Sequence, residues 1–149
     1  MNRDKLRDEV RFEIAQLRRV AEVARELAEV PVAERRPWDA AAAAKYIFDL
    51  AMSLENLCKR RNAAFGRPHP SGPDSHSQVL EEFLSDADLG GQLSVDEALL
   101  LKQYFRFRHR FAHGYGHEVH WEIVSEPLRH LPQTIERLAR LWERWLELV

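Results

Sequence analysis

The chain has 149 residues, enough for one domain whose core needs neither disulfides nor a bound metal to hold it together. Hydrophobic residues make up 45% of the sequence and charged residues 31%, which is typical of a soluble globular protein and excludes a disordered chain. The formal net charge of −2 excludes a uniformly basic nucleic-acid-binding protein. Any RNA or DNA site must therefore be a local cationic patch.

The single cysteine, Cys58, excludes an internal disulfide and a cysteine-based zinc finger. It lies beside the apolar positions Leu54 and Leu57, which favours a buried thiol over a nucleophile. No apolar run approaches the roughly 18 residues that a membrane span needs, and the N-terminus begins an amphipathic helix instead of a signal peptide. We therefore expect a cytoplasmic protein without a membrane partner.

Apolar residues recur every three to four positions in two long segments, which predicts two amphipathic helices. The first spans Arg3 to Glu29, and the second runs from about Asp39 to Arg61. Their predicted buried positions are Leu6, Val10, Ile14, Leu17, Ala21, Ala24 and Leu27 on the first helix and Ile47, Leu50, Ala51, Leu54, Leu57 and Cys58 on the second. The glycines and prolines between Gly66 and Pro73 predict a loop after the second helix.

Two Ser-x-x-Gln/Glu patterns predict capping boxes in the second half of the chain. Ser75 with Gln78 would begin a short helix, and Ser94 with Glu97 would begin a fourth helix after a break at two glycines. That fourth helix is expected to continue to about Ala112.

The last helix is expected to begin at about Pro127 or Pro132, after a loop around His117 to Trp121, and to continue to the end of the chain. No alternating strand pattern competes with these helices. The sequence therefore predicts a single all-α domain, an up-down bundle of four long helices and one short helix.

A cationic segment at the end of the fourth helix is the most informative part of the sequence. Between Ala98 and His117 there are four cations and no carboxylate, namely Lys102, Arg106, Arg108 and Arg110. Three histidines lie in the same stretch. Guanidinium groups bind phosphate oxygens in a bidentate manner, and imidazole transfers protons near neutral pH. These are the two chemistries that RNA needs when its 2′-hydroxyl attacks the adjacent phosphodiester.

The spacing Arg108, four residues, His113, one residue, Tyr115 matches the Arg-x4-His-x-Tyr signature of HEPN-domain ribonucleases, in particular the HepT toxins. The polar His109 directly after the arginine also suits that family. The order of the predicted elements resembles HepT-like proteins over nearly the whole chain. On a straight helix Arg108 and His113 lie about 140° apart, so they would converge only if the helix distorts or if two copies face each other.

The resemblance implies a homodimeric, metal-independent endoribonuclease whose two motifs meet in a cleft at the dimer interface, with no cofactor. Arg108 would hold the scissile phosphate, and His113 would act as general base or acid. Tyr115 would help to position RNA and would accept AMP from the expected partner, a minimal nucleotidyltransferase (MNT) antitoxin.

Further residues would contribute to the site. Arg106, His109 and Arg110 would contact the RNA backbone by charge alone, although a solvated helix face explains Arg106 and Arg110 equally well. Asp49 and Glu55 on the second helix would orient the arginines. His109 and His113 have the spacing of metal ligands, but the neighbouring arginines repel a cation, so no metal site is expected.

Two other functions stay open at this point. The first is that of a HEPN module without activity that binds RNA or recruits a nucleotidyltransferase. The second is that of a helical adaptor without affinity for nucleic acid. The intact motif argues against the first of these functions, and the cationic segment argues against the second.

Overall fold

The computed structural model describes residues 1–112 and 119–149, and all regular elements within these ranges are helical. The α-helices are α1 (Arg3–Glu29), α2 (Pro37–Ala64), α3 (Ser75–Ser85), α4 (Val95–Ala112) and α5 (Trp121–Leu148). Short 3-10 turns lie at Val32–Glu34 and Gly90–Gln92. The predicted all-α bundle of four long helices and one short helix is confirmed. No described helix is long and apolar enough to cross a membrane.

The second helix, α2, lies at the centre of the bundle, because it packs against each of the other four α-helices. All the positions predicted to be buried on α1 and α2 are buried. Trp142 of α5 is fully buried and stacks on Phe83 of α3, with ring centroids 6.0 Å apart. Each fully buried large side chain stabilises the fold by roughly 1.5–3 kcal/mol, so a continuous apolar core holds the helices together.

The loop predicted after α2 is confirmed, and the end of the helix explains its first glycine. The N–H of Arg67 donates to the carbonyl of Asn62 at 2.8 Å, and the N–H of Gly66 donates to the carbonyl of Ala63 at 3.3 Å. This Schellman arrangement needs a left-handed residue, and Gly66 has a φ of 66°. The glycine therefore ends α2 and turns the chain towards α3.

One of the two predicted capping boxes is confirmed. At the start of α4, the N–H of Glu97 donates to Ser94 Oγ at 3.1 Å, and the N–H of Ser94 donates to Glu97 Oε1 at 2.8 Å. The box predicted from Ser75 is wrong, because Ser75 is already the first residue of α3 and Asp74 is its N-cap residue. An Asp-Ser pair offers two candidate caps, and the sequence pattern selected the second.

The predicted start of the last helix is also wrong. The helix α5 begins at Trp121, so Pro127 and Pro132 lie inside it. A proline in a helix interior costs about 3 kcal/mol, but one face of α5 buries apolar side chains on both sides of the two prolines. In addition, the buried hydroxyl of Tyr104 donates to the Pro127 carbonyl at 2.7 Å. Packing therefore outweighs the local preference of proline.

Candidate functional site

The arginine of the predicted motif, Arg108, lies on the inward face of α4. It follows Leu101, Tyr104 and Phe105 at helical spacing, and these three side chains are buried in the core. Arg108 is itself buried, with only 11% of its side chain exposed. A guanidinium in this place is held in one position by packing, unlike an arginine on a solvated face.

Three residues of α2 surround the Arg108 guanidinium. Its carbon lies 5.3 Å from the centre of the Phe48 ring, and one terminal nitrogen lies 3.7 Å from the sulfur of Met52. Its Nε lies 3.7 Å from Glu55 Oε1, within ion-pair range but too far for a hydrogen bond. Arg108 Nε is buried and has no hydrogen-bond partner among the residues that the structure describes. The cation is therefore only partly compensated by its surroundings.

Arg108 lies at a groove of about 550 Å³ between α3 and α4. On the α4 side, Lys102, Arg106 and His109 follow one another at helical spacing along the groove. The α3 side carries Asp74, His76, Ser77 and Glu81. The groove thus has a cationic wall on α4 and a wall of mixed polar side chains on α3.

The other predicted site residues have different locations. Arg110 is exposed on α4 and is not among the described residues that line the groove. Asp49 pairs with Lys45 one turn earlier on α2, and no ion pair within the described residues joins it to the arginines of α4. Of the two carboxylates predicted to orient the arginines, only Glu55 lies within ion-pair distance of Arg108 in the described part of the chain. His113 and Tyr115 lie outside the described residues.

A residue outside the Arg-x4-His-x-Tyr motif also contacts this site. His76, in the first turn of α3, places Nδ1 2.6 Å from Glu55 Oε1, the same oxygen that faces Arg108. The sequence separation between Glu55 and His76 follows no helical or motif spacing. The place of His76 at this site therefore becomes visible only in the tertiary structure, where α3 packs against α2.

Comparison with known protein families shows what the chain is similar to. A family model described as HepT-like protein matches residues 42–149. The chain belongs to the HepT-like family, within the HEPN superfamily. Searches of curated proteins and of solved structures gave no further match.

The HepT-like match covers most of α2 and all of α3, α4 and α5. Glu55, His76 and the segment from Arg108 to Tyr115 all lie inside it. The helix α1 lies outside the match, although it packs against both α2 and α5. The groove and its arginine are therefore built entirely from the part of the chain that resembles HepT-like proteins.

Proposed function

We propose that this HepT-like protein is a toxin-type, metal-independent endoribonuclease that cuts RNA through Arg108 and His113. The observation that carries the proposal is the buried Arg108 guanidinium, which lies at a groove with a cationic wall on α4. A guanidinium fixed by packing at the edge of such a groove is suited to bind an anion such as a phosphodiester.

In the proposed reaction, the RNA attacks its own phosphodiester linkage. The 2′-oxygen forms a bond to the adjacent phosphorus as its proton passes to one imidazole, and the bond from phosphorus to the 5′-oxygen breaks as that oxygen takes a proton. The products are a 2′,3′-cyclic phosphate and a 5′-hydroxyl. Arg108 would stabilise the charge that develops on the phosphate oxygens, and His113 would act as general base or acid.

The surrounding residues would bind the rest of the RNA. Arg106 and His109 line the groove beside Lys102, so a strand that follows α4 would pass all three. Arg110 is exposed on another part of α4, where it would contact RNA outside this groove. Glu55 would orient the Arg108 guanidinium from ion-pair distance, at 3.7 Å, without a direct hydrogen bond.

A homodimer would supply the two histidines that the two proton transfers need. In the proposed assembly, the motifs of two copies face each other across a twofold axis. Tyr115 would help to position RNA and would accept AMP from an MNT-type nucleotidyltransferase antitoxin, which would silence the toxin. We expect the protein to act in the cytoplasm.

The test is cleavage of a single-stranded RNA by the purified protein in the presence of a chelator, with the 2′,3′-cyclic phosphate product identified by mass spectrometry. We expect Arg108→Ala and His113→Ala each to lower the rate at least about 100-fold, since each removes a group from the reacting centre. Size-exclusion chromatography with light scattering should show that the active species has about twice the 17.4 kDa chain mass.

Arg129→Ala is the matched control for these variants. Arg129 is an exposed arginine on α5 that pairs with Glu126, away from the groove, so its removal should leave cleavage unchanged. Full activity in Arg108→Ala or His113→Ala contradicts the proposal. RNA binding without cleavage in the wild type identifies the chain instead as a HEPN module without activity.

A further inference from the structure

One oxygen of the Glu55 side chain faces two possible hydrogen-bond donors at different distances. The short contact goes to His76 Nδ1 at 2.6 Å, and the longer one goes to Arg108 Nε at 3.7 Å. An ionised carboxylate can only accept, so the imidazole Nδ1–H is the donor in the short contact. The hydrogen bond to His76 therefore holds Glu55 in a position from which this oxygen does not reach Arg108 Nε.

The arrangement leaves Arg108 with weak partners. A thioether sulfur and an aromatic ring take the place of the oxygen acceptors that usually satisfy a buried guanidinium. Glu55 is largely buried, with 14% of its side chain exposed, so water has little access to it. A displacement of less than 1 Å would bring its carboxylate within hydrogen-bond distance of Arg108 Nε.

We propose that His76 is a positioning residue that holds Glu55 away from Arg108 and so keeps the guanidinium available for the RNA phosphate, an inference that rests on the proposed function. Without His76, the carboxylate moves onto Arg108 and forms a charge-assisted hydrogen bond. The closer carboxylate then neutralises more of the guanidinium charge, so that the phosphate is attracted less strongly. His76 acts through Glu55, so its removal weakens binding of RNA only while Glu55 is charged.

The test is a double-mutant cycle on binding of a fluorescent, uncleavable 2′-O-methyl RNA oligonucleotide. His76→Ala should raise the Kd about fivefold to tenfold, which lies within the range of coupling between contacting side chains. His76→Ala combined with Glu55→Gln should bind RNA as well as Glu55→Gln alone, because the competing charge is gone. A Kd unaffected by His76→Ala, or a defect that Glu55→Gln does not rescue, overturns the proposal.

A conservative variant separates positioning from proton transfer. His76→Asn places an amide N–H close to the position of Nδ1 and can donate to Glu55, but it cannot transfer protons. We expect His76→Asn to bind and cleave RNA within about twofold of the wild type. If it is as defective as His76→Ala, the imidazole itself is needed and the proposal is wrong.

His130→Ala is the matched control, because His130 also contacts a carboxylate, Glu126 at 3.2 Å, but lies on α5 away from the groove. It should leave the Kd unchanged.

A second measurement is independent of RNA. The NMR signal of Arg108 Nε–H, assigned by its loss in Arg108→Lys, should shift downfield in His76→Ala as its hydrogen bond to Glu55 forms. An unshifted signal contradicts the proposal, even if the wild type neither binds nor cuts RNA and the proposed function fails on its own.

Discussion

Two buried arginines of this chain show how differently a fold can treat the same side chain. Arg61, at the end of α2, has 4% of its side chain exposed and donates a hydrogen bond to Asp86 at 3.2 Å. Arg108 is nearly as buried, yet the carboxylate that faces it, Glu55, lies beyond hydrogen-bond distance of its Nε. Nε of both arginines lacks a hydrogen-bond partner within the described residues, and such an unmatched buried donor costs free energy of folding. Arg108 differs from Arg61 because no described carboxylate reaches it within hydrogen-bond distance and because it lies at the groove.

A third buried charge, Glu13 on α1, gives a prediction at the residue scale. Burial raises the pKa of its carboxyl, while Arg60 and a hydrogen bond with Asn56 partly oppose the shift. A carboxyl whose pKa is raised by folding destabilises the folded state above that pKa, and the penalty disappears as the pH falls below its unfolded value. Glu13→Gln should therefore raise the melting temperature at pH 7.

The advantage of Glu13→Gln should shrink as the pH falls and vanish below about pH 4, the usual range of a glutamate pKa. Thermal melts of both proteins from pH 3 to pH 8 measure this difference. A variant that is less stable than the wild type at pH 7 contradicts the interpretation. Glu22→Gln, on the exposed side of the same helix, is the control and should leave the melting temperature at pH 7 unchanged.

At the scale of single helices, the start of α3 and the start of α4 differ in how they are capped. Ser94 accepts the N–H of Glu97, and the reciprocal hydrogen bond, together with Arg137, holds the pKa of Glu97 below its usual value. Ser75 makes no such cap, because α3 has already begun there. The two serines share a sequence pattern and differ only in structure.

Replacing each serine by alanine tests this difference. Ser94→Ala should lower the free energy of unfolding by about 1 kcal/mol, the usual cost of losing an N-cap side chain. Ser75→Ala should change it by less than about 0.5 kcal/mol. Denaturant unfolding measures both values, and equal losses from the two variants would show that Ser75 caps α3 in solution.

At the scale of the whole molecule, the helix outside the family match contributes to the core. The inward side chains of α1 pack against α2 and α5. Arg18 of α1 also binds two carboxylates of α5, with its terminal nitrogen 3.1 Å from Glu136 and 2.7 Å from Glu143. The region that matches the HepT-like family therefore lacks one wall of its core when α1 is absent.

A chain shortened to residues 36–149 should consequently lose cooperative thermal unfolding, because the faces of α2 and α5 that pack on α1 become exposed to water. Circular dichroism during heating measures the transition. Arg18→Ala in the full chain is the milder companion variant and should lower stability by about 1 kcal/mol or less, as partly exposed ion pairs contribute little. A shortened chain that melts like the full one would contradict this role for α1.

The sequence by itself determined the fold class, the buried stripes of α1 and α2, the loop after Gly66 and the motif that marks the family. These features are local: helical periodicity, caps and short motifs are set by residues a few positions apart. Two predicted helix starts were wrong. Core packing keeps both prolines inside α5, and Asp74 instead of Ser75 is the N-cap residue of α3. Only the tertiary structure decided that Glu55 lies beside Arg108 while Asp49 pairs elsewhere, and that His76 shares the Glu55 oxygen. Those contacts join α2, α3 and α4 across the bundle, and no spacing along one chain encodes a distance between side chains on different helices.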